Sequence, residues 1–230
     1  MKTIGLIGGI SWLSSAEYYR LINEMINEKL GGVNSAKIIL HSVNYEEIKT
    51  LTFADDWDSI AALMGTIAKN MENSGADCVL LGANTMHKIA ALVQQAISIP
   101  LIHIASATGK AIEKLQLKKV ALLGTKYTME LGFYQAQLDK FNITTILPNE
   151  AERQFIHDAI YNEMGKNIFL RSTKEKILSI IETLKKEGAE GVILGCTEIP
   201  ILIKQADCSI PVFDTTLIHA TAAVEFALSL

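Results

Sequence analysis

The sequence predicts an α/β fold made of two similar lobes, each a parallel sheet flanked by helices. Two observations lead to this prediction. Short apolar runs alternate with longer amphipathic segments along the 230 residues, which is the pattern of βα units around parallel strands. Blocks of the first half also recur in the second half in the same order. We therefore expect a first lobe of residues 1–106 plus 216–230, and a second lobe of residues 107–215.

The elements of the first lobe begin with a strand at residues 3–7. A helix is predicted from Ser14, because Ser14 and Glu17 have the spacing of a capping box, and it should stop at the two glycines 31 and 32. The remaining predicted elements of this lobe are strands at 37–43, 78–81 and 101–104 and helices at 56–73 and after Asn84.

The second lobe is predicted from the same kinds of signal. Pro211 stands just before an apolar run, as Pro100 does in the first lobe, and this is a place where a strand tolerates proline. The strands predicted for this lobe are at 120–123, 144–147, 191–194 and 212–213.

Three matches define the internal repeat. Residues 75–85 align with 188–198, residues 4–8 with 120–124, and residues 99–101 with 210–212. In open α/β sheets, ligands bind beyond the carboxyl ends of the strands. If the two lobes face each other, Ala83 and Cys196 would therefore lie on opposite walls of one cleft.

Composition excludes several classes of protein. A formal net charge of −4 argues against nucleic-acid binding, which needs a basic surface. The chain has no apolar run of about 18 residues, so we expect no membrane span, and its first residues do not resemble a signal peptide. The glycines near the start lack the GxGxxG spacing of dinucleotide-binding proteins, and no Walker motif is present.

Three cysteines at irregular spacings suit a reducing cytoplasm better than a disulfide framework, and no zinc-site spacing occurs. Cys196 follows an apolar run and a glycine, at a predicted strand end before a helix start. Backbone N–H groups there would favour a thiolate and lower the pKa of the thiol, although a free cysteine is as often a small core residue. Cys78 is predicted to be a core residue and Cys208 to lie in a loop.

Polar side chains follow the strand ends in both halves. Asn84 and Thr85 stand after one strand, Thr197 and Glu198 after its equivalent, and residues 124–128 after another. Such groups suit a small carboxylate ligand, and they are equally ordinary helix caps. His87 and His103 are candidates for a supporting role behind these residues.

Five blocks, residues 4–12, 82–88, 123–130, 195–199 and 211–215, resemble the successive signature blocks of the aspartate/glutamate racemase family. The resemblance implies two pseudo-symmetric α/β lobes with the active site between them, a homodimer, and a segment 216–230 that returns to the first lobe. It also implies racemisation of aspartate or glutamate without pyridoxal phosphate or metal. In such enzymes one cysteine thiolate removes the α-proton and a second thiol returns a proton to the opposite face.

The same resemblance assigns roles to individual positions. Cys196 corresponds to one catalytic cysteine, and Lys166 to a binder of the side-chain carboxylate. The positions that correspond to binders of the α-carboxylate and amino group are Asn84, Thr85, Thr125, Thr128 and Thr197.

The chain departs from the family pattern at Ala83, which occupies the position of the first catalytic cysteine. Leu13 also stands where close relatives carry an acidic residue. Ala83 is either a natural or an engineered substitution, and its side chain has no proton to exchange. Besides an impaired or one-directional racemase, two alternatives follow: a one-base decarboxylase or cis–trans isomerase of the superfamily, or a non-catalytic amino-acid-binding protein.

Overall fold

The computed structural model describes residues 1–229, and these divide into two compact units. Unit 1 comprises Met1–Ile104 and the segment from His219 onward, and unit 2 comprises Ala105–Ile218. Each unit contains one parallel β-sheet with helices around it. The α/β fold class with two parallel sheets is thus confirmed. In the described residues, no helix combines the length and the apolar character needed to cross a membrane.

Seven strands and eleven α-helices make up the regular structure of the described residues. The strands are β1 (Ile4–Gly8), β2 (Ile38–Ser42), β3 (Cys78–Leu81), β4 (Lys119–Gly124), β5 (Thr144–Ile146), β6 (Gly191–Gly195) and β7 (Val212–Asp214). The helices are α1 (Trp12–Leu30), α2 (Tyr45–Phe53), α3 (Trp57–Asn73), α4 (Ala90–Gln95), α5 (Ile104–Lys114), α6 (Lys126–Glu130), α7 (Phe133–Leu138), α8 (Glu150–Asn162), α9 (Arg171–Lys186), α10 (Ile199–Leu202) and α11 (Thr215–Leu228). Short 3₁₀ turns occur at Thr85–Ile89, Asp139–Phe141, Met164–Lys166 and Gln205–Asp207.

The two sheets have the same strand order. In unit 1 the order is β2-β1-β3, extended by a parallel bridge between Val79 and Leu101. In unit 2 the order is β5-β4-β6-β7. Strands β1, β2 and β3 therefore correspond to β4, β5 and β6, and the bridge at Leu101 corresponds to β7. This is the correspondence that the sequence repeat predicts.

The core of unit 1 joins the beginning of the chain to its last helix. Side chains of α1 at a spacing of four residues, Tyr18, Ile22 and Ile26, are fully buried beside β1 and β3. The small buried residues Ala220 and Ala223 of α11 belong to the same cluster. Because these side chains are short, α11 can lie close to its neighbours.

The core of unit 2 is built in the same way around β4 and β6. All five residues of β6 are buried, as expected for a central parallel strand covered on both faces. Helix α9 covers one face with side chains at helical spacing, namely Ile177, Ile180, Ile181 and Leu184. The alternating strands and helices thus leave the carboxyl ends of β4 and β6 at one edge of the sheet.

The start of α1 differs from the prediction. The helix begins at Trp12 instead of Ser14, and Ser11 before it has φ +71° and provides no side-chain cap. Ser14 donates a hydrogen bond to the Gly82 carbonyl (2.9 Å), and Ser15 Oγ accepts one from Gly9 N–H (2.7 Å). The serines therefore connect α1 to the loops after β1 and β3, so the capping-box interpretation is wrong.

Two further elements differ from the sequence predictions. The strand predicted at 101–104 is only a single bridge at Leu101, because α5 already begins at Ile104. Helix α2 was not predicted; Asn44 caps its start by accepting a hydrogen bond from Glu46 N–H. Both cases concern short segments, whose pattern of apolar residues is too brief to define a period.

Candidate functional site

The strands β4 and β6 bring two predicted site residues to one edge of the unit 2 sheet. Gly124 and Gly195 are the last residues of these strands and are paired in register. Thr125 and Cys196 follow them directly. The structure therefore places these two side chains after neighbouring strand ends.

Glycine is needed at both strand ends because the backbones and Thr128 approach closely. A Cβ built on Gly195 would lie 2.8 Å from the Leu123 carbonyl oxygen, and one on Gly124 would lie 2.9 Å from the Gly195 oxygen. Both would lie 3.2 Å from Thr128 Cγ2. Real Cβ atoms do not approach carbonyl oxygens as closely as the two shorter distances. Only glycine therefore fits at these two positions, against which Thr128 packs.

Thr125 and Thr128 are hydrogen bonded to each other. Thr125 is the N-cap of α6, where its Oγ1 accepts a hydrogen bond from Thr128 N–H (3.3 Å). The two hydroxyl oxygens are also 3.3 Å apart. Both residues are buried, so the helix-cap interpretation describes an observed contact, whereas substrate binding by these threonines stays a prediction.

Cys196 is hydrogen bonded to a carboxylate. Its Sγ lies 2.9 Å from Oε2 of Glu198, and Thr197 Oγ1 donates to the same oxygen at 2.7 Å. Glu198 is buried, with a relative exposure of 4%, while Cys196 and Thr197 are partly buried. The turn after β6 thus folds the Glu198 side chain back under the thiol.

This contact overturns the prediction of a lowered pKa for Cys196. Burial raises the pKa of the thiol well above its ordinary value, and the negative charge and hydrogen bond of Glu198 raise it further. Backbone N–H groups of Thr197 and Glu198 lower the pKa but do not outweigh these effects. The helix start expected at Thr197 and Glu198 is present, because Glu198 is the N-cap position of α10, which begins at Ile199 and has four residues.

The other two cysteines differ in burial. Cys78 is the first residue of β3 and is fully buried, as predicted, and burial raises its pKa to about 12. Cys208 lies in the segment between α10 and β7 and is partly buried, and burial raises the pKa of its thiol too. Lys166, the candidate for the side-chain carboxylate, is an exposed residue of the 3₁₀ turn after α8.

Ala83 holds the equivalent position in unit 1. It follows β3 and Gly82, whose N–H donates to the Ile7 carbonyl of β1 (2.8 Å). Asn84 is buried and Thr85, which begins the 3₁₀ turn, is partly buried. Ala83, Asn84 and Thr85 therefore stand at the carboxyl edge of the unit 1 sheet, as Cys196 and Thr197 do in unit 2.

A cluster of three histidines lies behind the turn that contains Ala83. The ring of His87 is 4.7 Å from that of His103 and 5.5 Å from that of His219, measured between centroids. His87 Nδ1 is 3.0 Å from the Ala83 carbonyl oxygen. A carbonyl only accepts, so Nδ1 carries the proton and donates. The imidazole of His87 therefore fixes the backbone at Ala83.

His219 connects α11 to this cluster. Its Nε2 is 2.7 Å from the Ile102 carbonyl oxygen and must donate there, so Nδ1 accepts from the Tyr18 hydroxyl at 2.8 Å. Burial lowers the pKa of His219 to about 4, and burial and the neighbouring rings lower that of His87 as well. Both imidazoles are consequently neutral at pH 7.

The roles of two of these residues were not predicted from the sequence. Glu198 was considered as a helix cap or as part of a carboxylate site and not as a partner of the Cys196 thiol, for which its position two residues later was the available signal. His219 was not considered, because its hydrogen-bond partners Tyr18 and Ile102 are each more than 100 residues away in the sequence. Pairing over such distances leaves no local pattern.

Comparisons with known proteins agree on one family. The model of the family described as Asp/Glu/Hydantoin racemase matches residues 7–223. The chain is 26% identical over 231 residues to the broad specificity amino-acid racemase RacX of Bacillus subtilis (strain 168), covering 98% of each chain.

Solved structures give the same result. A Yersinia pestis protein described as a candidate Asp/Glu racemase is 43% identical, with a TM-score of 0.94 over 100% of both chains. An aspartate racemase homologue from Pyrococcus horikoshii OT3 is 35% identical, with a TM-score of 0.88 over 100% of both chains. These similarities extend over the whole chain and thus include both sheets.

Proposed function

Since this chain belongs to the Asp/Glu/hydantoin racemase family, we propose that it is a cofactor-independent racemase of an acidic amino acid, aspartate or glutamate. The descriptions of the Yersinia and Pyrococcus proteins support an acidic substrate. The description of the Bacillus relative as a broad specificity enzyme is the reason to test other amino acids too. A homodimer, as the resemblance implies, stays a prediction that light scattering after size exclusion would check.

The observation that carries the proposal is the Cys196 thiol at the carboxyl end of β6, in hydrogen-bond contact with the buried Glu198 carboxylate. Racemisation requires removal of the α-proton and return of a proton to the other face of a planar carbanion. The proposed role of Cys196 is to exchange that proton on one face. The proposed role of Thr125, Thr128 and Thr197, with Asn84 and Thr85, is to donate hydrogen bonds to the substrate.

The side-chain carboxylate of the substrate is proposed to meet Lys166. An exposed lysine ammonium on a flexible chain can reach an anion without a fixed geometry. A Lys166→Met variant should therefore raise KM for aspartate or glutamate more than it lowers kcat, and lose the preference over alanine.

The direct test is racemisation of each enantiomer of aspartate and glutamate, followed by chiral chromatography without added pyridoxal phosphate or metal. We expect turnover, and we expect Cys196→Ala to abolish it. Cys208→Ser is the matched control, because it removes another partly buried thiol and should keep the activity. Full activity of Cys196→Ala would contradict the proposal.

One observation favours a second candidate function. Ala83 stands at the strand end equivalent to that of Cys196 and has no acidic proton, so one-base chemistry of a decarboxylase or cis–trans isomerase is the alternative. Deuterium incorporation at Cα in D₂O separates the candidates: exchange with inversion supports the racemase, and exchange with retention supports a one-base enzyme. Release of carbon dioxide from a substituted malonate would identify a decarboxylase, and binding without exchange would identify an amino-acid-binding protein.

A further inference from the structure

His87 keeps an imidazole in the core of unit 1 although packing alone does not require one. The residue is only 2% exposed, and within residues 1–229 its Nε2 has no hydrogen-bond partner. Burial and the neighbouring imidazoles lower its pKa, so Nε2 stays unprotonated at pH 7. A buried polar atom without a partner costs free energy, which an apolar side chain of similar size would avoid. The reason for a histidine therefore lies in its other nitrogen, Nδ1.

The turn after Ala83 explains what Nδ1 does. In the 3₁₀ turn Thr85–Ile89, the backbone N–H of His87 donates to the Asn84 carbonyl, three residues back (3.0 Å). In an α-helical turn the same N–H would donate to the Ala83 carbonyl, four residues back. That carbonyl accepts from Nδ1 of the His87 side chain instead (3.0 Å). The imidazole thus replaces the missing backbone donor and stabilises the 3₁₀ form of the turn.

The contact also sets the direction of the next N–H group along the chain. A trans peptide unit is planar, and its C=O and N–H groups point in opposite directions. Because the Ala83 carbonyl points at His87, the Asn84 N–H points away from the histidine cluster. Both residues stand at the carboxyl edge of the unit 1 sheet, and ligands of α/β sheets bind beyond that edge.

We propose that His87 is a positioning residue, which orients the peptide unit between Ala83 and Asn84 so that the Asn84 N–H donates a hydrogen bond to the substrate. This assignment rests on the proposed function for its substrate step, whereas the direction of the peptide unit is a property of the free protein. A donor held in place beforehand stabilises the charge that develops on the substrate when the α-proton leaves. Its loss should therefore lower kcat more than it raises KM.

Two amide variants of His87 test the proposal. The NH₂ group of asparagine takes the position of Nδ1, whereas that of glutamine takes the position of Nε2. Asn23 of α1 already donates in this way to the Tyr19 carbonyl, four residues back (2.8 Å). We expect His87→Asn to keep nearly the wild-type kcat, and His87→Gln to lose about 10²-fold in kcat with a smaller change in KM. Equal kcat values for the two variants, whether high or low, would overturn the proposal.

His219→Gln is the matched control. It removes another buried imidazole of the same cluster, whose nitrogens contact Ile102 and Tyr18 instead of the turn. This variant should be less stable but should keep the kcat of the wild type when folded protein is compared. A loss of kcat as large as that of His87→Gln would assign the effect to the cluster as a whole and contradict a specific role of His87.

Heteronuclear NMR of the isotope-labelled protein without substrate separates this inference from the proposed function. We expect a protonated Nδ1 and an unprotonated Nε2 for His87, and an Asn84 amide signal that moves in His87→Gln but not in His87→Asn. These results in a protein that racemises no amino acid would confirm the direction of the peptide unit and refute the racemase. Racemisation together with an Asn84 signal that moves equally in both variants would support the enzyme and overturn the role of His87.

Discussion

Ala83 is the residue at which we expect a substitution to raise activity. Its backbone is fixed by His87 and its position is equivalent to that of Cys196, so in the proposed mechanism a thiol at this position would supply the second proton. General acid–base assistance is typically worth about 10²–10⁴-fold. We therefore expect Ala83→Cys to raise the racemisation rate by at least about 10²-fold, measured from both enantiomers.

The control for this gain is Ala83→Ser, which adds a group of similar size whose hydroxyl is a far weaker acid than a thiol. It should increase the rate much less than Ala83→Cys while binding the substrate equally well. If Ala83→Cys gains nothing and the unmodified protein is already fast in both directions, another group supplies the second proton. Thr85 and a water molecule would then be the first candidates.

Cys196 illustrates which properties of a single residue could be predicted from the sequence and which could not. The position of Cys196 after a glycine-ended strand was predictable, because an apolar run and a glycine are local signals. Its raised pKa was not, because it depends on the direction of the Glu198 side chain. A turn two residues long can direct that side chain towards the thiol or away from it, and the residue types are the same in both cases.

At the scale of elements, the glycine ends of β4 and β6 give a stability prediction. Gly195→Ala would bring a Cβ within 2.8 Å of the Leu123 carbonyl oxygen, and backbone on a central strand cannot move aside easily. Overpacking of this kind costs about 1–3 kcal/mol of the free energy of unfolding, measured by urea denaturation. Gly65→Ala in α3 is the comparison: its new methyl meets only the Ala96 methyl, at 3.2 Å, so the loss should be smaller.

The contact of α11 with Tyr18 and Ile102 gives a prediction about pH. The pKa of His219 is about 4 in the folded protein, against an ordinary value of 6.5. The unfolded chain therefore binds more protons between these values, and the free energy of unfolding should fall by about 3 kcal/mol as the pH drops from above 6.5 to 4. Above pH 6.5 this contribution is fully present. Urea denaturation at several pH values measures it.

His219→Gln should lower the stability at pH 7 and flatten its dependence on pH, because the titrating group is gone. His41→Gln, on the exposed edge strand β2, should change neither. An unchanged slope in His219→Gln would assign the acid sensitivity to other groups, with His87 first among them, since burial lowers its pKa as well.

Elements with a strong local signal were predicted well. Helix α3 runs from Trp57 to Asn73 with Asp56 as its cap, close to the predicted 56–73. The length of the strand at Leu101 was less predictable, because a short apolar run is compatible both with a bridge of one residue and with a strand of four residues. The start of α1 was missed since Ser14 and Ser15 hydrogen bond to distant loops, contacts that compete with capping and have no local signature.

At the scale of the whole molecule, unit 1 depends on a segment that follows unit 2 in the chain. Val224 of α11 is fully buried in the same cluster as Ile4 and Leu6. Val224→Asp would place an unpaired carboxylate there, so we expect a loss of at least about 3 kcal/mol and a lower Tm by calorimetry. Glu225→Gln, at the exposed neighbouring position, should leave the Tm unchanged.

The order of these segments has a consequence for synthesis on the ribosome. Domains generally fold as units while the chain emerges, with the N-terminal one first. Here the β-strands of unit 1 emerge first, yet Ala220, Ala223 and Val224, which complete their core, are translated only after all of unit 2. The nascent chain therefore carries an uncovered apolar surface beside β1 while more than 100 codons are read. The unit that is made first is the one that is finished last.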